Sequence, residues 1–295
     1  MVARAGGRDV LIAYPLVGPN VKRLVTLVDR YPETTFRATV ESAPAARALS
    51  KAMAGSPGRS LSVLVDLDVG MGRTGTDPES AYSLARLVAE LPGLEFGGLH
   101  AYDGQIKESD PKARAKAAAG GVEAVLRLRD RLVASGLAAP RLVLGGTPSF
   151  PIHAALDEPG VECSAGTAPL FDAGYASRFP DLPFVPAALV LTRVISGPRD
   201  GRITLDLGHK AVAADPKGDR LTLLDVPDAS LGPQSEEHLV VETPRAEDYP
   251  AGTPLLAIPT HICPTCALHA WAYVVEGGEV VDRWDVSSRD RVIGV

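Results

Sequence analysis

The chain has 295 residues, a formal net charge of −6, 45% hydrophobic residues and 22% charged residues. This composition is typical of a globular protein with a buried core, and the absence of a basic patch argues against nucleic acid as a partner. No apolar run approaches the ~20 residues of a membrane helix, and the N-terminus lacks a signal-peptide pattern. Three cysteines do not make a disulfide framework. We therefore expect the protein to be in the cytoplasm, where thiols stay reduced.

The first two-thirds of the chain alternates short apolar strands with helical stretches. Strands are predicted at residues 10–14, 35–40, 61–69, 94–102, 141–145 and 161–164. Two helices are predicted to begin with an aspartate followed by proline, at Asp77 and Asp110. Strands alternating with helices predict parallel βαβ units. The ~185 residues available fit six units, so the predicted fold is an eight-stranded (β/α)₈-type barrel missing about two N-terminal units, with an open sheet as the alternative.

The pattern changes near Phe184, after which no convincing helix is predicted. Seven short β-rich runs follow, at residues 188–195, 202–207, 220–226, 238–242, 255–258, 271–275 and 279–284. The proline-rich residues 180–186 mark the predicted boundary. We therefore predict an α/β domain at residues 1–185 and an all-β domain, a small barrel or sandwich, at residues 186–295.

Chemistry in parallel α/β folds lies at the carboxyl ends of the strands. Residues 145–149 and 164–167 follow the last two strands as Gly/Thr/Ser loops, whose N–H groups and hydroxyls predict a phosphate site; two ordinary loops are the alternative. Arg73 lies in a glycine-rich loop and is a candidate anion or cofactor contact, or else a surface arginine. His100 and Tyr102 share a face if their strand continues, although a buried, hydrogen-bonded tyrosine is the simpler reading.

A second candidate cluster is PTHICPTCALH at residues 259–269. An extended chain would place His261 and Cys263 on one face and offer two ligands to a borderline-soft ion such as Zn²⁺. A four-ligand structural zinc site that adds Cys266 and His269 is less favoured, because all four ligands would crowd together in sequence. A redox pair of the two cysteines lacks a thioredoxin-like βαβ setting, and a chance cluster is the remaining alternative.

These motifs resemble a known family. LVDLDVGMGRTG, at residues 64–75, is similar to the strand and loop of the alanine-racemase-like barrels, the fold-type III enzymes that use pyridoxal 5'-phosphate (PLP). GGLHAYDGQ, LGGTPSF, ECSAGTAPLFDAGY, LDLGHKA, SEEH and PTHICPTCALH resemble the D-threonine aldolase and D-serine dehydratase branch. The resemblance extends from about residue 9 to residue 291, and the motifs occur in the same order as in the family. It implies a PLP-binding barrel, a C-terminal β domain, and a lyase that acts on D-β-hydroxy amino acids with a divalent metal, zinc being favoured.

Carried over by position, the resemblance implies roles for individual residues. The family's phosphate cup matches Gly146, Thr147, Gly166 and Thr167. Arg73 matches the arginine near the cofactor ring, and Tyr102 matches an active-site tyrosine. His261 and Cys263 match the two metal ligands. The barrel motifs favour the aldolase, whereas Cys263 resembles the dehydratase pattern, so D-serine dehydratase is a close second.

One departure from the family pattern concerns its Schiff-base lysine, which lies on the first barrel strand in a basic motif that this sequence lacks. The lysines here are Lys22, Lys51, Lys107, Lys112, Lys116, Lys210 and Lys217. None is predicted at the inner carboxyl end of a strand. The sequence resembles the family from just before its third strand, so we expect either a start upstream of Met1 or a genuine short protein.

The printed chain is therefore predicted to be catalytically inactive. Its expected partner is a small-molecule D-amino acid, with neither nucleic acid nor membrane, and a homodimer is one candidate assembly. The alternatives to a lyase are a non-catalytic PLP- or metabolite-binding protein and a metal-binding structural protein.

Overall fold

A computed structural model describes residues 1–56 and 58–290 of the chain. The described residues form two compact units, which divide between Gly166 and Thr167. The antiparallel strands of the second unit begin at Val190. The boundary predicted at residues 185/186 lies between these two positions and stays a prediction.

Residues 1–166 form a parallel sheet covered by helices. The strands are β1 (Asp9–Pro15), β2 (Thr35–Val40), β3 (Leu61–Asp66), β4 (Leu94–Ala101), β5 (Leu142–Leu144) and β6 (Val161–Cys163). The helices are α1 (Pro19–Arg30), α2 (Ala43–Met53), α3 (Pro78–Glu90), α4 (Pro111–Ala134) and α5 (Phe150–Ala154), after a 3₁₀ turn at Val2–Ala5. Spatial order follows chain order, and every neighbouring pair is parallel. This order is that of a barrel wall and confirms the predicted partial (β/α)₈-type barrel.

The alternation of side chains along the central strand β3 shows which face of the sheet packs against the helices. All six of its residues are buried. Val63 and Val65 belong to the apolar core that includes side chains of α1 to α4, whereas Asp66 lies on the other face. The strand ends at Asp66, three residues before its predicted end, and Leu67 then forms an isolated bridge with Thr76. The loop that carries Arg73 begins at this point.

Both predicted aspartate–proline helix starts are confirmed. The Asp77 carboxylate accepts hydrogen bonds from the amides of Glu79 and Ser80, and the Asp110 carboxylate accepts one from the Ala113 amide. These side chains satisfy amide groups that lack partners in a first helical turn. Helices α3 and α4 therefore begin where the sequence predicts.

The second unit is an antiparallel sheet with two short helices. Its elements are α6 (Ala173–Arg178), β7 (Val190–Arg199), β8 (Arg202–Leu205), β9 (Leu221–Leu223), β10 (Ser230–Gln234), β11 (Leu239–Glu242), a 3₁₀ turn at Ala246–Asp248, β12 (Pro254–Pro259), α7 (Ile262–Leu268), β13 (Trp271–Glu276) and β14 (Glu279–Asp285). One sheet has the order β10-β11-β8-β7-β12-β9, and β13 pairs with β14. The antiparallel β domain is confirmed, but the expectation of no helix after Phe184 is wrong at α7. No helix in the described part of the chain is long and apolar enough to cross a membrane.

Candidate active site

The loop after β3 is held in place by backbone hydrogen bonds. Asp68 Oδ1 accepts from the amides of Gly70 and Gly72 at 2.9 and 3.0 Å, and these bonds, that of Gly72 above all, hold the pKa of Asp68 below its usual range. The Gly75 amide donates to Glu41 Oε2 at 2.8 Å. Gly75 has φ +97°, and a Cβ there would lie 2.5 Å from the Leu67 carbonyl carbon, so the loop requires glycine at this point.

Residues that follow three different strands meet around the ring of Tyr102. The Arg73 guanidinium carbon lies 4.6 Å from the centre of the Tyr102 ring, a cation–π arrangement. The same ring lies against Gly146, where a Cβ would be 3.1 Å from Tyr102 Cε2. Arg73, Tyr102 and Gly146 are thus neighbours, although their roles toward a cofactor stay predictions.

A buried pair, Asp66 and His100, lies at the ends of β3 and β4. Asp66 and His100 are 4% and 7% exposed, and Asp66 Oδ1 lies 2.6 Å from His100 Nδ1. Thr74 Oγ1 donates to Asp66 Oδ2 at 2.9 Å, which ties the Arg73 loop to the end of β3. The His100 Nδ1 atom is therefore engaged in a buried hydrogen bond with Asp66. The strand ends at Ala101, so the alternation expected to place His100 and Tyr102 together does not extend to Tyr102.

The loop after β5 rests on a second buried network. Ser149 Oγ donates to Asp103 Oδ1 at 2.7 Å and accepts from the Gly146 amide at 3.1 Å. Asp103 Oδ2 lies 2.7 Å from His153 Nε2. The Gly146 amide is consequently engaged inside the protein. What Gly146 offers a ligand is close approach rather than a free donor.

The loop after β6 presents the open donor of the predicted phosphate cup. Ser164 Oγ donates to the Gly145 carbonyl at 2.7 Å, so the last two loops of the sheet lie side by side. Gly166 is exposed, a Cβ there would meet nothing within 4 Å, and in residues 1–56 and 58–290 its amide donates to no acceptor. Thr147 is 3% exposed. A free amide at an open glycine fits an anionic group such as phosphate.

Ser149→Ala is expected to lower the free energy of unfolding by about 1–3 kcal/mol, because it leaves Asp103 Oδ1 and the Gly146 amide buried without this partner. Urea titration followed by circular dichroism measures the change. Ser42→Ala is the matched control, since Ser42 is exposed before α2 and its side chain makes no capping bond. Equal stability of the two variants would contradict the network's role.

All seven lysines of the sequence are exposed: Lys22, Lys51, Lys107, Lys112, Lys116, Lys210 and Lys217. Lys107 follows Tyr102 in the chain but lies in the exposed segment before α4. Lys210 pairs with Glu236 and Glu237 at 3.1 and 3.0 Å. No lysine in the described part of the chain is a buried amine at a strand end.

The second unit contains both predicted metal ligands. His261 immediately precedes α7 and Cys263 lies in its first turn, so the expectation of an extended His261–Cys263 segment is wrong. His261 Nδ1 lies 2.6 Å from Asp215 Oδ2, which leaves Nε2 as the open ring nitrogen. The Cys263 thiol is exposed, with Sγ 3.6 Å from Thr167 Oγ1. An imidazole nitrogen and a thiolate suit a borderline-soft ion such as Zn²⁺.

The four-ligand zinc alternative is wrong. His269 Nε2 is hydrogen bonded to the Ala211 carbonyl at 2.8 Å. In residues 1–56 and 58–290, no three His, Cys, Asp or Glu side chains come together in a way that could hold a metal. Burial raises the pKa of the Cys266 thiol, which disfavours the thiolate that a ligand requires. If a metal binds at α7, the chain offers it two donors.

Several residues of these clusters are not found by sequence reasoning. The sequence predicts no role or partner for Asp66, Asp103 and His153, because the residues that they contact are far along the chain. Asp215 was not predicted either, since it is 46 positions from His261. Asp66, Asp103 and Asp215 lie at a strand end or in a loop and His153 lies in the short helix α5, and these positions alone do not distinguish them from surface residues.

Comparisons with known proteins give a consistent result along the chain. A model described as the alanine racemase N-terminal domain matches residues 20–163, and one described as a putative serine dehydratase domain matches residues 187–275. The chain is 32% identical to a D-threonine aldolase from Arthrobacter sp. over 97% of this chain and 75% of that protein. It is 30% identical to a 3-hydroxy-D-aspartate aldolase from Paracoccus denitrificans, over 98% and 76% of the two chains. The crystal structure of D-threonine aldolase from Filomicrobium marinum matches with a TM-score of 0.89 and 29% identity, covering 97% of this chain and 78% of that chain.

Proposed function

The chain belongs to the D-threonine aldolase and D-serine dehydratase-like family of PLP-dependent lyases with the alanine-racemase fold, and from this we propose that it binds PLP and a divalent metal for the cleavage of D-β-hydroxy amino acids. The observation that carries the proposal is the 32% identity to a D-threonine aldolase over 97% of the chain. The neighbouring Arg73, Tyr102 and Gly146 support it, because they lie where parallel barrels bind their ligands.

PLP, when bound, supplies an electron sink for negative charge at the substrate α-carbon. The open Gly166 amide and Thr147 would hold its phosphate, with Thr167 next in the chain. Gly146 would let that phosphate approach the backbone closely. The ring of Tyr102, held by its cation–π contact with Arg73, would lie at the same edge of the sheet. The Ser149–Asp103–His153 network would keep the loop in position.

A divalent ion, zinc being favoured, would act as a Lewis acid on the substrate β-hydroxyl. His261 Nε2 and Cys263 Sγ would hold it. The hydrogen bond to Asp215 fixes the His261 ring, an arrangement that orients metal-binding histidines in other proteins. Two protein donors would leave open positions for the substrate.

D-threonine aldolase activity is proposed first and D-serine dehydratase activity second. Full-length identity to aldolases supports the former. The dehydratase model match over residues 187–275 and Cys263 in the ligand motif support the latter. The products separate them, because an aldolase releases glycine and an aldehyde, whereas a dehydratase releases ammonia.

Zinc binding is expected to weaken at least about tenfold in His261→Ala and in Cys263→Ala, because each removes one of two donors. Asp215→Asn is expected to weaken zinc binding too, since it weakens the hydrogen bond that orients the His261 ring. Competition against a fluorescent zinc chelator measures these affinities. Cys266→Ala and His269→Ala are the matched controls and should bind as the unaltered chain does; an equal loss in the controls would contradict the two-donor site.

A further inference from the structure

A cleft of about 330 Å³ opens in the second unit. Its polar side is formed by His209, Arg220 and Gln234 together with the exposed Asp219, and its apolar side by Leu221, Leu231 and Leu239. Neither His261 nor Cys263 lines it. The cleft therefore combines one arginine, one carboxylate at its exposed edge and an apolar side of which Leu231 is the most accessible part.

Arg220 is half-buried and has no carboxylate partner. Its Nη1 donates to Gln234 Oε1 at 2.8 Å and to His209 Nε2. Because a guanidinium only donates, His209 Nε2 accepts and carries no proton in this arrangement. Within the described residues, Arg220 makes no ion pair, and neither Nε nor Nη2 has an acceptor. Its neighbours are neutral acceptors along one edge of the guanidinium.

This arrangement holds the guanidinium in a defined position. Gln234 is itself fixed by a bond from its Nε2 to the Leu207 carbonyl at 2.9 Å. The Arg220 carbonyl accepts from the Thr260 amide at 2.9 Å, which anchors the backbone beside β12. A half-buried arginine without a countercharge is costly, and the two free N–H directions form the fork that binds a carboxylate or phosphate in bidentate fashion.

We propose that Arg220, with His209 and Gln234, forms a binding site for the oxyanion end of a small molecule whose other end is apolar. The oxyanion is a carboxylate or a phosphate ester, and the apolar end packs on the half-buried Leu231, since Leu221 and Leu239 are almost fully buried. This site does not rest on the lyase proposal, because none of its residues belongs to the PLP or metal clusters.

The test follows the Arg220 Nε–H resonance by ¹H–¹⁵N NMR, so that binding elsewhere in the protein is not counted. The unaltered chain is titrated with acetate, with 4-methylpentanoate and with inorganic phosphate. Saturable shifts with a Kd below about 10 mM are expected, with 4-methylpentanoate at least about threefold tighter than acetate. Tighter binding of phosphate than of acetate would assign the site to phosphate esters, and the reverse to carboxylates.

Gln234→Glu is the main variant, because it places a carboxylate beside Arg220 and should weaken anion binding at least about tenfold without removing the arginine. Arg220→Gln should abolish binding, measured by calorimetry with 4-methylpentanoate. Arg202→Gln is the control, since Arg202 is exposed and already paired with Glu242 in the same sheet. No saturable shift of Arg220 Nε–H, or equal affinity in Gln234→Glu and the unaltered chain, would overturn the proposal.

Discussion

The 295-residue chain is expected to release neither glycine and acetaldehyde from D-threonine nor ammonia from D-serine, even with PLP and Zn²⁺ present. All of its lysines are exposed, and none is buried at a strand end as Arg73, Tyr102 and Gly146 would require of a lysine that holds the cofactor. A lysine becomes an effective nucleophile when burial or a neighbouring charge lowers its pKa. In Lys210 the opposite holds, because the hydrogen bonds that its ammonium group donates to Glu237 and Glu236 raise its pKa.

Product assays and borohydride reduction measure this directly. After reduction in the presence of PLP, peptide mass spectrometry should find no specific lysine carrying the cofactor. Robust cleavage of D-threonine by this chain would contradict the prediction. In that case Lys107→Met should abolish cleavage, since Lys107 is the lysine that follows Tyr102, whereas Lys116→Met on α4 should not.

Asp66→Ala is expected to lower the free energy of unfolding by about 2–4 kcal/mol, because it removes the acceptor of both His100 Nδ1 and Thr74 Oγ1 in a buried position. The Arg73 loop should loosen as well, since the Thr74 bond ties it to the end of β3. Urea unfolding gives the stability, and amide hydrogen exchange of Thr74 and Thr76 reports on the loop.

Asp66→Asn is the matched variant, because it keeps the size of the side chain and one oxygen acceptor. It should lose less stability than Asp66→Ala. An alanine variant within about 0.5 kcal/mol of the unaltered chain would show that the buried pair does not hold the two strands and the loop together.

The architecture could be predicted from the sequence wherever local pattern and tertiary structure agree. The apolar run of β3 and the Asp-Pro helix starts are local signals, and both were interpreted correctly. Strand β10 was missed because Gly232 and Pro233 read as turn residues. It lies at one end of the sheet order, where a strand needs no partner on its outer side and proline is tolerated.

Helix α7 was missed for a different reason. It has only seven residues, and its ordering depends on contacts from distant parts of the chain. The Ile262 amide donates to Asp172 Oδ2 at 3.1 Å, and Thr265 Oγ1 accepts from the Ala213 amide at 3.1 Å. A helix this short is not stable in isolation, so its local sequence shows no pattern from which the helix could be predicted.

The candidate site was predictable residue by residue but not as a set of contacts. The glycine-rich loops and Arg73 follow strands, which is a signal visible in the sequence. Asp103 joins Ser149 and His153, which are 46 and 50 positions away, and nothing in the local sequence indicates those pairs. These hydrogen-bond networks can therefore be identified only when the fold is known.

The most direct measurement of the central claim is the affinity of the chain for PLP, measured by ³¹P NMR with inorganic phosphate as competitor. We predict saturable binding that phosphate competes and that Gly166→Asp weakens at least about tenfold, because the new carboxylate repels the phosphate. A side chain at Gly166 meets nothing within 4 Å, so this variant should fold normally, and Gly120→Asp is the control at an equally open, exposed glycine of α4. Absence of saturable PLP binding, or equal affinity in both variants, would contradict the assignment of these loops to the cofactor.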